Sequence, residues 1–411
     1  MLKWILFDLN SFFASCEQQE DPSLRGKPVA VVPTMTDSTS VIAASYEAKK
    51  FGIKTNTKVS DAKKMCPGLI LKSGNHRLYT EYHYKIIKAL EDVLPIRKTL
   101  SIDEMAFELM GKEQELHQAL KIAQHMKDHV RAIVGSEIKS SVGIGPNLLI
   151  AKIASDMQKP DGLISITSAE IQTKMSNLPI EVIPGVGRQM KFKLNAKGFY
   201  KISDLLAISE NELKKNWGSI WGLRIAHELR GHDMLLRPKS EQKSISHQHV
   251  LPPNLRTLEL AFQVTSKLLM KALVRLRQER FKTKALSLSI RMVRGDLFEN
   301  SLSFLETDDS FFLLKQLKKL WISHHQKQWI NQKPIKVAIV LSGLTSGPSQ
   351  LSFFDTPKSS QINQALDLIN SRFGLNTIYL ANTKEVIQSA KTKIAFNYIP
   401  NLNEELDEAD G

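Results

Sequence analysis

Cysteine is almost missing from the chain: Cys16 and Cys66 are the only two among 411 residues. Neither belongs to a ligand-spaced cluster, which argues against a disulfide framework and a structural zinc site and for a reducing compartment. Long apolar runs are missing too. No stretch of about 18 uncharged apolar residues occurs, so no spanning helix and no membrane partner are expected. The start, Met1 to Asp8, carries one base and a short apolar run cut by an acid, with no small-residue cleavage site behind it. It does not read as a secretory signal, and a soluble, cytoplasmic protein is the expectation. Acids are in deficit: 42 Asp and Glu face 56 Lys and Arg, a net charge of +14. That imbalance favours a polyanionic partner, nucleic acid ahead of lipid. Apolar residues are not scarce at 42 %, and charged residues make up 24 %. Wholesale disorder, collagen and coiled coil are thereby excluded, and the length allows about two to four domains.

The pattern along the chain is mixed. Trp4 to Phe7 is a short apolar strand ending in Asp8, and Val29 to Val32 is another. Tyr79 to Leu94 and Glu115 to Val134 carry helical periodicity. Thr99 to Leu109 reads as a strand interrupted by Asp103 and Glu104. Ser140 to Ile144 is a strand, Pro146-Asn147 opens a helix, and Pro160-Asp161-Gly162 stops it before a strand from Leu163 to Ile166. This is an α+β domain with an inserted segment. Residues 168–233 read as short helices punctuated by glycines, and the polar stretch Arg237 to His249 reads as a linker. From 250 to 343 a helix and alternating strands return. Between Ser244 and Gly343 there are 16 bases and 7 acids, which places most of the excess charge there. A turn-rich break, Ser346-Gly-Pro-Ser349, leads to Gln350-Leu-Ser-Phe-Phe354 and a helix from Ser360 to Phe373. The last residues, Asn401 to Gly411, hold five acids and no base, and read as disordered.

Three carboxylates stand out. Asp8 ends one apolar strand, and Asp103 with Glu104 interrupts another; a buried acid is costly without a cation. Two readings are open on the residues alone: salt bridges or turn caps, or a site for two Mg²⁺ ions of the kind that serves phosphoryl transfer. Regular strand alternation would send Asp103 and Glu104 to opposite faces, so joint ligation needs a bend.

Phe7-Asp-Leu-Asn-Ser-Phe-Phe-Ala-Ser-Cys-Glu17 and Ser101-Ile-Asp-Glu104 resemble the two metal-binding motifs of Y-family translesion DNA polymerases. Ala44 to Gly52, Val142-Gly-Ile-Gly145, Ala151 to Pro160 and Ile183-Pro-Gly-Val-Gly187 continue the resemblance in the family's order, over roughly residues 1–235. It implies an α+β multidomain right hand: palm at 1–10 and 75–166, fingers at 11–74, and a helical thumb with a helix-hairpin-helix at 167–233. A linker at 234–249, an α/β little finger at 250–343 and a clamp-binding, UmuC-like tail at 344–411 follow. It implies a DNA-directed DNA polymerase that performs error-prone translesion synthesis in SOS damage tolerance on primer-template DNA and dNTPs. Asp8, Asp103 and Glu104 are the implied catalytic ligands of two Mg²⁺ ions, with the Leu9 carbonyl as a further ligand and Mn²⁺ as a substitute.

Phe12 and Phe13 are the implied nucleotide-contact aromatics: Phe13 aligns with the steric gate that blocks a ribose 2′-hydroxyl, while Phe12 reads more strongly as core. Tyr46, Lys49 and Lys159 match positions on the triphosphate. Lys49 stands where many relatives carry Arg, Ala43 where many carry Thr, and Asn10 where an acid is common; Lys lacks the bidentate fork of Arg. Lys152 and Lys159, seven apart on an expected helix, share a face. Gly143 and Gly145 read as strand-to-helix packing, since no phosphate-loop lysine follows.

Gly185 and Gly187 let backbone N–H groups approach a DNA phosphate. Lys267, Lys271, Arg275, Arg277, Arg280, Lys282, Lys284, Arg291 and Arg294 face one acid, Glu279, within the same segment, a density suited to sequence-independent phosphate contact. Gln350, Leu351, Phe353 and Phe354 resemble a bacterial sliding-clamp peptide, and Gln364 to Ala381 resembles the C-terminal region of UmuC-type rather than DinB-type enzymes. UmuD-like and recombinase proteins are the further partners this implies. Two rival functions are a catalytically inactive family member acting as a DNA-damage adaptor, and a helix-hairpin-helix nuclease.

Overall fold

A computed structural model describes residues 1–37, 39–234, 242–323, 332–346, 357–374, 376–391, 394 and 399–402. The chain forms two units, Met1–Leu236 with Thr392–Gly411, and Arg237–Lys391.

The first unit is built on β1 (Trp4–Leu9), buried along its whole length. It pairs antiparallel with β6 (Glu104–Glu108) on one side and β7 (Ser140–Gly145) on the other; β5 (Lys98–Thr99) and β8 (Leu163–Ser165) complete the order β5-β6-β1-β7-β8. Strand alternation splits β1 between two faces. Ile5, Phe7 and Leu9 pack with α4 (His76–Glu91) and α5 (Leu116–Val134). Trp4 and Leu6 pack with Ala106 and with Ala151 of α6 (Leu148–Met157). Asp8 continues the second row, so it faces α6.

β7 and β8 run parallel, and α6 makes the crossover between them. Asn147 caps α6, its Oδ1 accepting from the Ile150 N–H at 2.9 Å. The helix lies so close to β7 that a Cβ at Gly143 would fall 1.9 Å from the Ala151 carbonyl oxygen. This is the packing role read for Gly143 in the sequence.

After β1, α1 (Phe12–Glu20) leads to a small sheet, β3-β2-β4, of β2 (Val29–Val32), β3 (Ala43–Ala44) and β4 (Ile70–Ser73). α2 (Tyr46–Lys49) and α3 (Val59–Met65) complete this insert around a core of Ala30, Val32, Val41, Ile53 and Val59. Between β8 and the second unit come short helices, among them α7 (Ile171–Met175), α8 (Arg188–Asn195), α9 (Ile202–Leu206), α10 (Glu210–Trp217) and α11 (Ile220–Leu229). Their shared core includes Ile180, Leu194, Leu205 and Leu213.

The second unit is a sheet of order β11-β10-β12-β9, formed by β9 (Ser244–Val250), β10 (Phe281–Met292), β11 (Leu297–Thr307) and β12 (Pro334–Ser342). A short β13 (Thr345–Ser346) also pairs with β10. α12 (Leu258–Gln278) and α13 (Ser310–Ser323) share a core with one face of the sheet. The tail adds α14 (Pro357–Phe373) and a 3₁₀ segment, Ala381–Val386, whose Val386 enters that core.

Three expectations need correction. Residues 244–249, read as linker, belong to β9. Its outward positions are Ser244, Ser246 and Gln248, so the strand carries only a weak apolar signal. Thr99 to Leu109 is a hairpin rather than one strand, since β5 folds back on β6 with Thr99 opposite Met105. Lys159 lies beyond the end of α6, in the turn before β8, rather than on a helix face shared with Lys152. Among the described residues no helix is long and apolar enough to cross a membrane.

Candidate active site

Asp8 and Glu104 stand directly opposite each other in the β1–β6 ladder. Glu104 shares a sheet face with Ala106, so both acids look toward α6. Asp103 precedes β6 and is held to β1 by the Leu9 N–H, which donates to its carbonyl at 2.9 Å. The bend at residues 101–103 frees Asp103 from strand alternation, and this removes the objection that the two neighbouring acids would face apart. The Ser101 hydroxyl donates to Asp103 Oδ1 at 2.5 Å.

Two lysines meet these acids. Lys152 on α6 places Nζ 2.6 Å from Asp8 Oδ2 and 2.8 Å from Glu104 Oε1. Lys159 places Nζ 2.7 Å from Asp8 Oδ1 and 2.8 Å from Asp156 Oδ1. Burial pushes the Asp103 and Glu104 carboxyls above the ordinary carboxylate range, with Lys152 opposing the rise at Glu104. Burial alone would lower Lys152, but Asp8, Glu104 and Asp156 outweigh it and hold its ammonium above the usual lysine range. Lys159 rises for the same reason, with Asp8 first among the charges that outweigh burial.

Among the described residues no three of Asp, Glu, His and Cys form a ready-made metal cage. The reason is visible in the distances: the Lys152 ammonium bridges Asp8 and Glu104. The acids nevertheless fit Mg²⁺. The donors are all oxygens, and a cationic group already stands between two of them. A metal held by these oxygens would replace the Lys152 ammonium as their counter-charge.

The other nucleotide candidates gather nearby. Lys49 lies over the Tyr46 ring, Nζ 4.2 Å from its centroid. Burial lowers Lys49, and Lys159 lowers it further. Burial raises the Tyr46 phenol, with Lys159 opposing. Phe13 is half-buried and stacks on Tyr79 at 4.3 Å and 14°. The Tyr79 hydroxyl donates to Glu17 Oε1 at 2.7 Å, so the ring beneath Phe13 is fixed; no sequence signal announces this support. Phe12 is 3 % exposed and belongs to the core with Ile5 and Phe7, which agrees with its core reading.

Gly185, at φ +90°, and Gly187, which precedes α8, form the turn expected of the helix-hairpin-helix. Of the nine bases in the second unit, three are corrected. Lys267 Nζ donates to the carbonyls of Ile387 and Ser389, and Lys271 Nζ to that of Ala390 at 2.6 Å. Arg277 forms a bidentate pair with Asp367 on α14, at 2.6 and 2.9 Å. These groups are taken by the chain itself. Arg275 pairs with Glu279 at 2.8 Å, Lys284 lies 3.7 Å from Glu306, and Lys282 is half-buried. Arg280, Lys284, Arg291 and Arg294 are exposed. Gln350, Leu351, Phe353 and Phe354 lie outside the described residues, as do residues 403–411 of the acidic end.

Comparison with known proteins joins these parts. Residues 7–156 match the model of the impB/mucB/samB family, and 242–353 match that family's C-terminal domain. Residues 181–233 match the thumb domain of DNA polymerase iota. DNA polymerase IV of Moorella thermoacetica is 31 % identical over 385 residues, covering 92 % of this chain and 95 % of the relative. DNA polymerase IV of Pelotomaculum thermopropionicum is 30 % identical, covering 92 % and 94 %. Among solved structures, the Y-family DNA polymerase chimera Dbh-Dpo4(243-245)-Dbh covers 84 % of this chain and all of its own, with a TM-score of 0.70 at 24 % identity. That last likeness is one of fold, and it agrees with a right-hand architecture. Both relatives are named DNA polymerase IV, and nothing in these comparisons distinguishes the expected UmuC type from the DinB type. With Asp8 and Glu104 paired across two strands, Asp103 beside them in a bend, and a relative 31 % identical along nearly its whole length, the chain belongs to the Y-family of translesion DNA polymerases and is a DNA-directed DNA polymerase.

Proposed function

We propose that the chain extends primers across damaged template bases in SOS damage tolerance, with low fidelity, by two-metal nucleotidyl transfer. The observation that carries this is the meeting of Asp8 and Glu104 on one rung, with Asp103 beside them and two lysines above. Divalent ions held by Asp8, Asp103, Glu104 and the Leu9 carbonyl would acidify the primer 3′-hydroxyl and neutralise the leaving pyrophosphate. The protein's own groups do the rest. Lys159, Lys49 and Tyr46 bind the triphosphate oxygens, where charge builds as the bond to the leaving group breaks. Lys152, which bridges Asp8 and Glu104 at 2.6 and 2.8 Å, would give up these contacts if the two carboxylates held divalent ions. Phe13, backed by Tyr79, leaves no room for a 2′-hydroxyl and selects dNTPs.

In this reading the first unit holds palm and fingers at 1–166 and the thumb at 167–233. The second is the little finger, which begins at β9. DNA grip comes from the Gly185–Gly187 turn, from the exposed bases Arg280, Lys284, Arg291 and Arg294, and from the open face of the second sheet. That face carries rows of small residues, such as Ser301, Ser287, Val340 and Ser246 side by side, over which a phosphate backbone can lie close. Gln350, Leu351, Phe353 and Phe354 bind a sliding clamp, and UmuD-like and recombinase proteins assist.

Primer extension on undamaged and lesion-bearing templates, with Asp103→Ala as control, tests the proposal. Bypass by the wild type and none by the variant is expected. A wild type that stops at every lesion overturns the bypass role, and one that incorporates nothing on intact template favours the inactive adaptor.

A further inference from the structure

Lys127 is a lysine on α5 whose side chain is only 5 % exposed, away from the carboxylate site. Burying an ammonium is costly unless every proton finds a partner. Here the partners all belong to one turn. Lys127 Nζ donates to the carbonyls of Asp161 and Gly162 and lies 3.1 Å from Asp161 Oδ1. Arg131, one helical turn along, holds the other Asp161 oxygen at 3.0 Å. From the opposite side Asn10 Oδ1 accepts from the Asp161 N–H at 2.7 Å. Asn10 Nδ2 in turn donates to the Ser141 hydroxyl at 3.1 Å, and that hydroxyl donates to the Gln158 carbonyl at 3.2 Å. The segment from Gln158 to Gly162 is therefore gripped on both flanks. Asp161 is held at φ +61°, a left-handed conformation that Asp tolerates better than most residues. A side chain at Gly162 would strike the Gln158 carbonyl, 2.0 Å from its Cβ.

One residue of this segment reaches the active site: Lys159, whose Nζ stands 2.7 Å from Asp8. We infer that Lys127 and Asn10 are positioning residues that clamp the 158–162 turn and so fix where the Lys159 ammonium meets the triphosphate. The inference rests on the reading of Lys159 as a triphosphate contact. It assigns work to a buried lysine and to Asn10, both of which act through their contacts with the turn.

A double-mutant cycle on the full-length chain tests it, with single-nucleotide incorporation on primer-template DNA as the assay and thermal melting alongside. Lys159→Met should raise the KM for dNTP about tenfold or more, and Lys127→Met, which keeps length but not charge, should raise it about fivefold with a smaller change in kcat. In the Lys127→Met/Lys159→Met double variant, KM should equal that of Lys159→Met alone, because the clamp then positions nothing. Should Lys127→Met fail to fold, Asn10→Ala enters the same cycle with the same expectation. If the two effects multiply, or if a folded Lys127→Met has the wild-type KM and only melts lower, the clamp is merely structural and the inference is overturned. If Lys159→Met itself leaves KM unchanged, the reading of Lys159 fails first and the inference falls with it.

Discussion

Asp103 shows how the site trades stability for function. Its carboxylate is pushed upward by burial, with the Asp8 charge adding to the rise. A carboxyl with a raised folded-state value makes the charged fold less favourable. This penalty is absent below the ordinary carboxylate range, sets in above it, and is complete once pH passes the folded-state value. Asp103→Asn removes the penalty and should also remove activity. We expect a melting temperature unchanged or up by about 1–3 °C at pH 7. The advantage should fade as pH falls into the ordinary carboxylate range, and melting curves between pH 4 and pH 7 check the sign. The three acids were legible in the sequence as carboxylates set against apolar strands, and the resemblance implied their role. That a lysine bridges Asp8 and Glu104 was not legible, because the contact joins residues 144 positions apart across three elements. The parting of Phe12 and Phe13 on α1 was partly legible, since the resemblance set Phe13 apart as the gate, but the Tyr79 ring on which Phe13 stacks was not.

At the scale of elements, the crossover of α6 on β7 positions Lys152, and it depends on the missing side chain at Gly143. Gly143→Ala would put a methyl group 1.9 Å from the Ala151 carbonyl. It should destabilise the first unit by about 3 kcal/mol or more, read by denaturant unfolding, because helix and strand backbones cannot both stay where they are. The tail forms a second element contact. Arg277→Met breaks the bidentate pair with Asp367, and hydrogen exchange in α14 should accelerate about tenfold or more while β10 and β12 stay protected. Helices with long periodic faces, such as α4 and α5, were legible almost to their ends. β9 was not, because an edge strand of Ser, His and Gln carries little apolar signal, and its partner β12 lies nearly a hundred residues away. The α12 bases misled for a related reason: a run of one sign reads as a phosphate-binding face until the tail that covers it is known.

For the whole molecule, the net charge of +14 is the sum of bases that meet solvent and bases that the fold has spent internally. DNA affinity distinguishes the two. Neutralising Arg280, Lys284, Arg291 or Arg294 should lower the slope of log affinity against log salt by about 0.9 for each phosphate that no longer meets a base, whereas Lys267→Met and Lys271→Met should leave it unchanged. Fluorescence anisotropy of labelled primer-template DNA at several salt concentrations measures this. The division into a mixed first unit and a second sheet-and-helix unit was legible from periodicity. The assignment of charge to surfaces was not, since it depends on which side chains the tail reaches. The proposed mechanism has Asp8, Asp103 and Glu104 acting together in nucleotide transfer. Single-turnover dNTP incorporation by wild type and Asp103→Ala in Mg²⁺, with primer-template affinity measured on the same samples, probes this without intermediaries. The variant should be slower by at least about a thousandfold, with affinity within about twofold of wild type; equal rates for the two proteins would contradict the role of the three acids.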